Sequence, residues 1–328
     1  MIPDHYTLAG SDVSIPPLGV GTWAWGDRST WGMGGYDPGL TRDSIKEAWD
    51  ASVDAGVTLF DTAEVYARGE SERILGALLA ADPERAASVV VATKFMPSPW
   101  KLEVRGALMK SLRASLSRLG LPAVDLYQIH GPISLRSHAV LAGALAAAHQ
   151  AGLVKAVGVS NYSVKETRSM AAALQAHGMR LASNQIEFSL LRRSPETSGL
   201  IAACVELGVV PFAYSPIGQG RLTGKYSASN PPPGKRNFSN HPMEVVDGIV
   251  DELRRIGEKY GGKVPSQVAL NWVMAKGAVP IPGAKNRHQA VENAGALGWT
   301  IDGDDLARLD RVALRGIQSL QGRFWQHG

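Results

Sequence analysis

Four residues of types that hold and move protons fall at comparable places in this chain: Asp61, Tyr66, Lys94 and His130. Asp61 and Tyr66 bracket the stretch Asp61-Thr62-Ala63-Glu64-Val65-Tyr66, which follows the apolar run 56–60. Lys94 closes the run 88–93, and His130 closes 124–129. Each stands at or just past the end of a predicted strand, and in a parallel barrel those ends share one rim, so residues distant in sequence meet there. A carboxylate, a phenol, an ammonium and an imidazole on one rim are parts for moving a proton. A free phenol titrates near about pH 10 and is a poor acid at neutrality. Lys94 is expected to lower that pKa, Asp61 to keep Lys94 charged and oriented, and His130 to hydrogen-bond a carbonyl or the phenol. General acid catalysis of this kind is worth about 10²–10⁴ in rate. Taken singly, such a tyrosine packs, such a histidine is satisfied in its loop, and such a lysine is solvated. Their joint placement carries the functional reading.

The elements that must position them are legible as an alternation. Strand-like runs at 18–22, 57–60, 89–93, 124–129, 154–159, 182–187, 209–213 and 279–281 alternate with helix-like periodic segments. Those helices fall at 42–55, 70–80, 101–119, 137–151, 164–177, 195–207, 265–275 and 286–297. This rhythm, without a break in composition, predicts an α/β fold: one closed (β/α)8 TIM barrel forming a single domain over 1–328. Segments 6–8 and 13–15 flank the turn Ala9-Gly10-Ser11-Asp12, a predicted N-terminal β-hairpin able to plug one end of the barrel. Thr41 is a cap candidate, and Gly120, Gly152 and Gly178 read as helix stops. The Gly/Pro/Asn-rich stretch 215–242 and an extra amphipathic helix at 244–260 interrupt the pattern between the seventh and eighth strands.

Two further clusters suggest a ligand. Ser160 and Asn161 end the fifth strand and Gln185 and Glu187 the sixth; Ser160, Asn161 and Gln185 offer the donors and acceptors a carboxamide needs. Ser160-Asn161 also fits a helix N-cap, a compatible role. Tyr214 follows the seventh strand, suited either to stacking on a flat ring or to packing. The run Ile281-Pro282-Gly283-Ala284-Lys285-Asn286-Arg287 enters a helix carrying Gln289, Glu292 and Asn293. A helix N-terminus attracts anions, and the loops after strands seven and eight are the usual phosphate position in such barrels. Lys285 and Arg287 suit an additional phosphate, as on the ribose of NADP; the alternative is a plain capped helix with solvated bases.

Composition narrows the rest. The chain has 328 residues, 45% hydrophobic and 20% charged, with a formal net charge of +4. Its basic residues are scattered, so nucleic acid is not indicated. No run reaches the roughly 18 apolar residues of a membrane span. The N-terminus has the composition of neither a signal nor a transit peptide, so the expected location is the cytoplasm, or an organelle interior if a transit peptide has been removed. Cys204 is the only cysteine, which excludes an internal disulfide. No metal site is expected, because no close Cys/His cluster occurs. The absence of a well-placed G-x-G-x-x-G argues against a Rossmann site.

In their order these motifs resemble the aldo-keto reductase superfamily almost end to end. They are Gly19-Val20-Gly21-Thr22-Trp23, Asp61-Thr62-Ala63-Glu64-Val65-Tyr66, Thr93-Lys94, Gln128-Ile129-His130, Gly158-Val159-Ser160-Asn161 and Asn184-Gln185-Ile186-Glu187. Tyr214-Ser215-Pro216, Gly220-Arg221-Leu222-Thr223-Gly224-Lys225-Tyr226 and Ile281-Pro282-Gly283-Ala284-Lys285 with Glu292-Asn293 complete the set. The opening Gly21–Asp27 and the long seventh loop are similar to bacterial and plant-plastid members.

The resemblance implies an NADPH-dependent reductase of aldehydes and ketones, with Tyr66 as proton donor supported by Asp61, Lys94 and His130. It implies NADP(H) contacts from Thr22, Trp23, Ser160, Asn161, Gln185 and Tyr214; from Ser215, Pro216, Ile217, Gly218, Leu222 and Lys225; and from Ile281, Pro282, Gly283, Ala284, Lys285, Arg287, Gln289, Glu292 and Asn293. Substrate contacts are expected from Trp23, Trp25, Trp31, Phe95 and Trp100, with Trp325 a further candidate; such a pocket favours carbonyl compounds with apolar bodies. Many members carry an aromatic after the histidine; Gly131 stands there in this chain and is expected to open the substrate side. Two alternatives remain: a cofactor-binding regulatory subunit like the channel-associated members, and a lyase or aldolase using Lys94 as a Schiff base. The partner is a small molecule. The oligomeric state is left open, and a monomer is compatible with the sequence.

Overall fold

The computed structural model describes residues 2–26, 39–233, 238, 239, 241–317 and 324–328. An antiparallel hairpin, β1 (Tyr6–Thr7) and β2 (Ser14–Ile15), precedes eight parallel strands arranged in chain order. These are β3 (Gly19–Gly21), β4 (Leu59–Asp61), β5 (Val90–Phe95), β6 (Val124–Ile129), β7 (Val154–Ser160), β8 (Leu181–Glu187), β9 (Val210–Tyr214) and β10 (Val279–Pro280). The helices that cross between them and follow them are α1 (Arg42–Asp54), α2 (Glu70–Ala81), α3 (Pro83–Ala86), α4 (Val104–Leu119), α5 (His138–Gln150), α6 (Val164–Gln175), α7 (Ser194–Thr197), α8 (Leu200–Leu207), α9 (Met243–Lys259), α10 (Pro265–Ala275), α11 (Arg287–Ala294) and α12 (Gly303–Val312). The barrel closes where Gly21 bridges to Gly283 and donates its N–H to the Pro282 carbonyl at 3.0 Å. A Cβ on Gly21 would stand 2.8 Å from the Ile281 carbonyl oxygen, so the seam requires glycine.

The pleat of the strands explains where the polar residues go. Leu59, Ala92 and Leu126, near the starts of β4, β5 and β6, join Leu8, Val13 and Ile15 of the hairpin region in one buried cluster inside the barrel. The hairpin is therefore the plug of the N-terminal end. Strand side chains alternate between faces, so the residues two positions on, Asp61, Lys94 and Gln128, face the same interior at the other end. Outside, α1 packs Trp49 on Phe60 with ring centroids 4.5 Å apart. Full burial of a side chain such as Phe60 contributes about 1.5–3 kcal/mol. That packing anchors β4 one residue before Asp61.

Thr41 caps α1 in a reciprocal box with Ser44, and Gly120 ends α4 in a left-handed conformation. Some boundaries differ from the sequence expectation. β5 continues to Phe95, which places Lys94 inside a strand rather than beyond one. The expected helix 195–207 is two helices parted at Gly199, whose φ of 81° breaks the helical path. α4 begins at Val104, where the Glu103 carboxylate accepts from the Gly106 N–H. The short α3 and the amphipathic α12, capped by Asp302, were not anticipated. Among the described residues no helix is long and apolar enough to cross a membrane.

Candidate active site

At the C-terminal ends of the strands lies a cavity of about 1060 Å³. At its base, Lys94 Nζ donates to Asp61 Oδ2 at 2.5 Å, to the Thr62 carbonyl at 2.8 Å and to Tyr66 Oη at 3.2 Å. An ammonium has three N–H donors and no acceptor, so these three partners satisfy it completely. Asp61 Oδ1 accepts from Gln185 Nε2 at 2.8 Å and Gln128 Nε2 at 3.2 Å. Both charges are buried, a situation tolerable only with every lone pair and proton matched. Tyr66 and His130 meet edge to face, with centroids 5.6 Å apart, and both line the cavity. No hydrogen bond joins the two rings; His130 Nδ1 is buried without a partner. Just after Tyr66 the backbone turns through Ala67 (φ 47°) and Arg68 (φ 56°), a costly conformation for residues with a Cβ.

Burial dominates the electrostatics. It raises the Tyr66 pKa well above that of a free phenol, and the Asp61 carboxylate pushes in the same direction. The expectation that Lys94 would lower this pKa is corrected: Asp61, 2.5 Å away, cancels the ammonium's charge. Burial lowers the Lys94 pKa, opposed by Asp61 and, more weakly, Glu72. His130 is pushed well below the usual imidazole range, first by burial and then by Lys94, so it is neutral.

A second hydrogen-bonded row forms one wall. Ser160 Oγ donates to the Gln185 carbonyl (2.9 Å), Asn161 Nδ2 to Ser160 Oγ (3.1 Å), and Tyr214 Oη to Asn161 Oδ1 (2.9 Å). Gln185 spends its amide on Asp61, so it ties this row to the proton-transfer group. At the far end, Asn286 caps α11 by accepting from the Gln289 N–H, and Gln289 Oε1 accepts from the Lys285 N–H. Asn293 reaches the Gly283 carbonyl at 3.2 Å. Trp23, Ser215, Pro216, Ile217, Lys225, Ile281, Pro282, Gly283, Lys285, Gln289, Glu292 and Asn293 all border the cavity.

Other expected residues stand elsewhere. Lys94 lies fully behind the wall, without exposed surface for a Schiff base. Thr22 is buried and donates to the Asp61 carbonyl at 3.0 Å, helping to hold the strand end. Trp25 is a core residue against Phe60, its Nε1 donating to the Ala284 carbonyl at 2.8 Å. Phe95 and Leu222 are also core, Gly218 packs beneath Leu191, and Ala284 is buried. Arg287 is exposed at the start of α11 and does not border the cavity. Trp100 is 78% exposed and outside the wall. Trp31 lies outside the described residues.

Several bordering residues were not anticipated: Val65, Met96, Ile133, Phe238, Phe324 and Gln326. Gln128 could have been found, since a glutamine at an inward position of an apolar strand needs a polar partner. The expected opening at Gly131 is also corrected. Trp325 packs there, edge-on to His130 with centroids 5.4 Å apart, and a Cβ on Gly131 would stand 2.9 Å from the Trp325 ring. An aromatic distant in sequence takes the space that the neighbouring position leaves.

A closed barrel with an acid–base cluster at its C-terminal rim and a long cleft running to a helix N-terminus defines a class of barrel enzyme. The aldo/keto reductase family model matches residues 17–314, and the chain belongs to that family, whose members carry out oxidoreduction at carbonyl groups. It is 37% identical to the chloroplastic pyridoxal reductase of Arabidopsis thaliana, over 96% of this chain and 87% of that one. It is 30% identical to 6-dehydroglucose reductase of Novosphingobium aromaticivorans, with 90% of each covered. Among solved structures it resembles an aldo/keto reductase from Klebsiella pneumoniae in complex with NADP and acetate: TM-score 0.73, 25% identity, covering 97% of this chain and 98% of that one. It also resembles the glycerol dehydrogenase of Gluconobacter oxydans: TM-score 0.77, 25% identity, covering 98% and 99%.

Proposed function

We propose that this protein is an NADPH-dependent reductase of aldehydes and ketones in which Tyr66 is the proton donor. The observation that carries the reading is the hydrogen-bond direction at the phenol. Tyr66 Oη accepts from Lys94, so its own proton is free to be given to a carbonyl oxygen in the cavity. The raised pKa keeps the phenol protonated at rest, and transfer accompanies the growth of negative charge on that oxygen. Lys94 then lies against the oxygen that becomes phenolate and stabilises it, with Asp61 holding the ammonium in place. His130, neutral and bordering the cavity, offers a second donor to the carbonyl oxygen.

The remaining wall suits NADP(H). Ser160, Asn161 and Gln185 border the cavity where a carboxamide would lie, Tyr214 offers a flat face, and Lys285 with the N-terminus of α11 favours a phosphate. Bound NADPH supplies the hydride, and the complex of the Klebsiella relative with NADP supports this assignment. Carbonyl compounds fit the apolar end near Met96, Ile133 and Trp325. A flat aromatic aldehyde suits that surface, and the likeness to a pyridoxal reductase makes pyridoxal the first compound to assay.

The test is Tyr66→Phe, assayed by NADPH absorbance with pyridoxal and a panel of aldehydes and ketones. Turnover should fall by about 10²–10⁴ while NADPH binding, followed by fluorescence, stays close to wild type. Turnover equal to wild type would overturn the role of Tyr66. Failure of the wild type to consume NADPH with every carbonyl offered, despite binding it, would favour a regulatory role instead.

A further inference from the structure

Glu187 ends β8, is 3% exposed, and takes no part in the proton-transfer cluster. Its two oxygens hold two different segments beside the cavity. Oε1 accepts from Ser239 Oγ at 2.7 Å, in the long stretch after β9. Oε2 accepts from Gln326 Nε2 at 2.6 Å, in the segment Phe324–Gly328, with Arg192 Nε 3.7 Å away. Gln326 Nε2 also donates to Tyr214 Oη at 2.9 Å, so Tyr214 passes its own proton to Asn161 Oδ1. That fixes the Asn161 amide with its oxygen toward Tyr214 and its nitrogen toward Ser160. On the other side of Gln326, Trp325 lies against His130 over Gly131. The segment is further held by the His327 N–H on the Asn161 carbonyl (3.1 Å) and by Arg192 on the Gly328 carbonyl (2.6 Å).

We propose that Glu187 and Gln326 are positioning residues that join the carbonyl side and the cofactor side of this cavity into one unit, Glu187 acting through Gln326 on Tyr214 and Trp325. The proposal rests on the reading of Tyr214 and Asn161 as residues that face NADP(H). A buried carboxylate holds strong hydrogen bonds because leaving any of its acceptor positions empty is costly. The row from Glu187 to Asn161 therefore orders as a whole. Two ligands sharing such a unit are coupled reciprocally: filling the cofactor side tightens the carbonyl side, and the reverse.

A double-mutant cycle in the full-length protein tests this, using Gln326→Leu, Glu187→Gln and the pair. The readouts are NADPH dissociation constant by fluorescence, KM for the best carbonyl substrate, and melting temperature. Gln326→Leu should raise both the NADPH dissociation constant and the carbonyl KM by about tenfold, as expected for a charge-assisted hydrogen-bond row. The pair should do no worse than the more severe single change, since both break the same row. Additive effects in the pair, or a lowered melting temperature with unchanged NADPH binding, would overturn the proposal and leave a merely structural role. If Glu187→Gln does not fold, Gln326→Leu alone still decides: an unchanged NADPH dissociation constant refutes the coupling. A wild-type protein that does not bind NADPH refutes the underlying reading and this proposal together. A wild type that binds it, beside variants that bind it equally well, refutes the proposal alone.

Discussion

The floor of the cavity and its rim are held in different ways. Asp61, Lys94 and Gln128 sit within strands, on the inward face set by the pleat, and their polar atoms are matched inside the barrel. The rim joins the strand ends at Ser160, Gln185 and Tyr214 to the loops beyond them. Its backbone runs through left-handed conformations at Asn161 (φ 62°), Ser215 (φ 52°), Gln219 (φ 56°) and Ser239 (φ 43°). Arg221, buried in that region, pins it by donating to the carbonyls of Gly218, Phe238 and Ser239. The buried ion pair thus rests on rigid, locally periodic structure, and much of the rim rests on loops fixed by long-range hydrogen bonds. Damage to the floor should appear in stability and turnover, and damage to the rim in binding.

The largest effect is expected from Lys94→Met, which leaves Asp61 charged, buried and without its cation. Breaking a buried pair in this way costs about 3–5 kcal/mol, measurable by urea denaturation, and turnover should be lost as well. A stable Lys94→Met protein would show that the floor is less dependent on the pair than its geometry implies. On the rim, Lys285→Met should weaken NADPH binding by about tenfold, a modest phosphate contact, with the urea midpoint unchanged. Gly131→Ala sharpens the contrast further. The added methyl must displace Trp325, and because Gln326 ties that segment to Tyr214, the carbonyl KM and the NADPH dissociation constant should rise together, by about two- to tenfold. A raised KM with unchanged NADPH binding would instead mean that Trp325 and the cofactor side move independently.

The smallest effect concerns pH. Burial keeps His130 neutral in the folded state, whereas the unfolded chain takes up a proton as the pH falls through about 6.5. The unfolded state then binds more protons, so stability is full above that pH and is lost on acidification, by at most about 1.4 kcal/mol per pH unit for one group. His138 and His241 are lowered for the same reason and add to the slope. The check is therefore the difference between wild type and His130→Gln, whose acid limb should be shallower by one proton.

The barrel was legible in the sequence because alternating apolar runs and periodic helices are local signals. The cluster of Asp61, Tyr66, Lys94 and His130 was legible for the same reason, since each stands at a countable distance from a strand. Boundaries such as Lys94 within β5 and the break at Gly199 were not, because hydrogen bonding in the assembled sheet and single-residue backbone geometry set them. Trp25 and Phe95 were expected to touch substrate and are core. A tryptophan's type does not say which side of a strand end it takes.

What the chain determines by itself is the order and period of its elements, and with them which polar residues arrive at the open end of the barrel. Tertiary structure alone decided the sign of the shift at Tyr66, because burial and the neutralising Asp61–Lys94 pair exist only after the strands close. It also decided that Trp325 and Gln326, almost two hundred residues beyond His130 in sequence, complete the wall. Contacts of that kind leave no periodic trace, since they depend on where a distant segment comes to rest rather than on its neighbours in the chain.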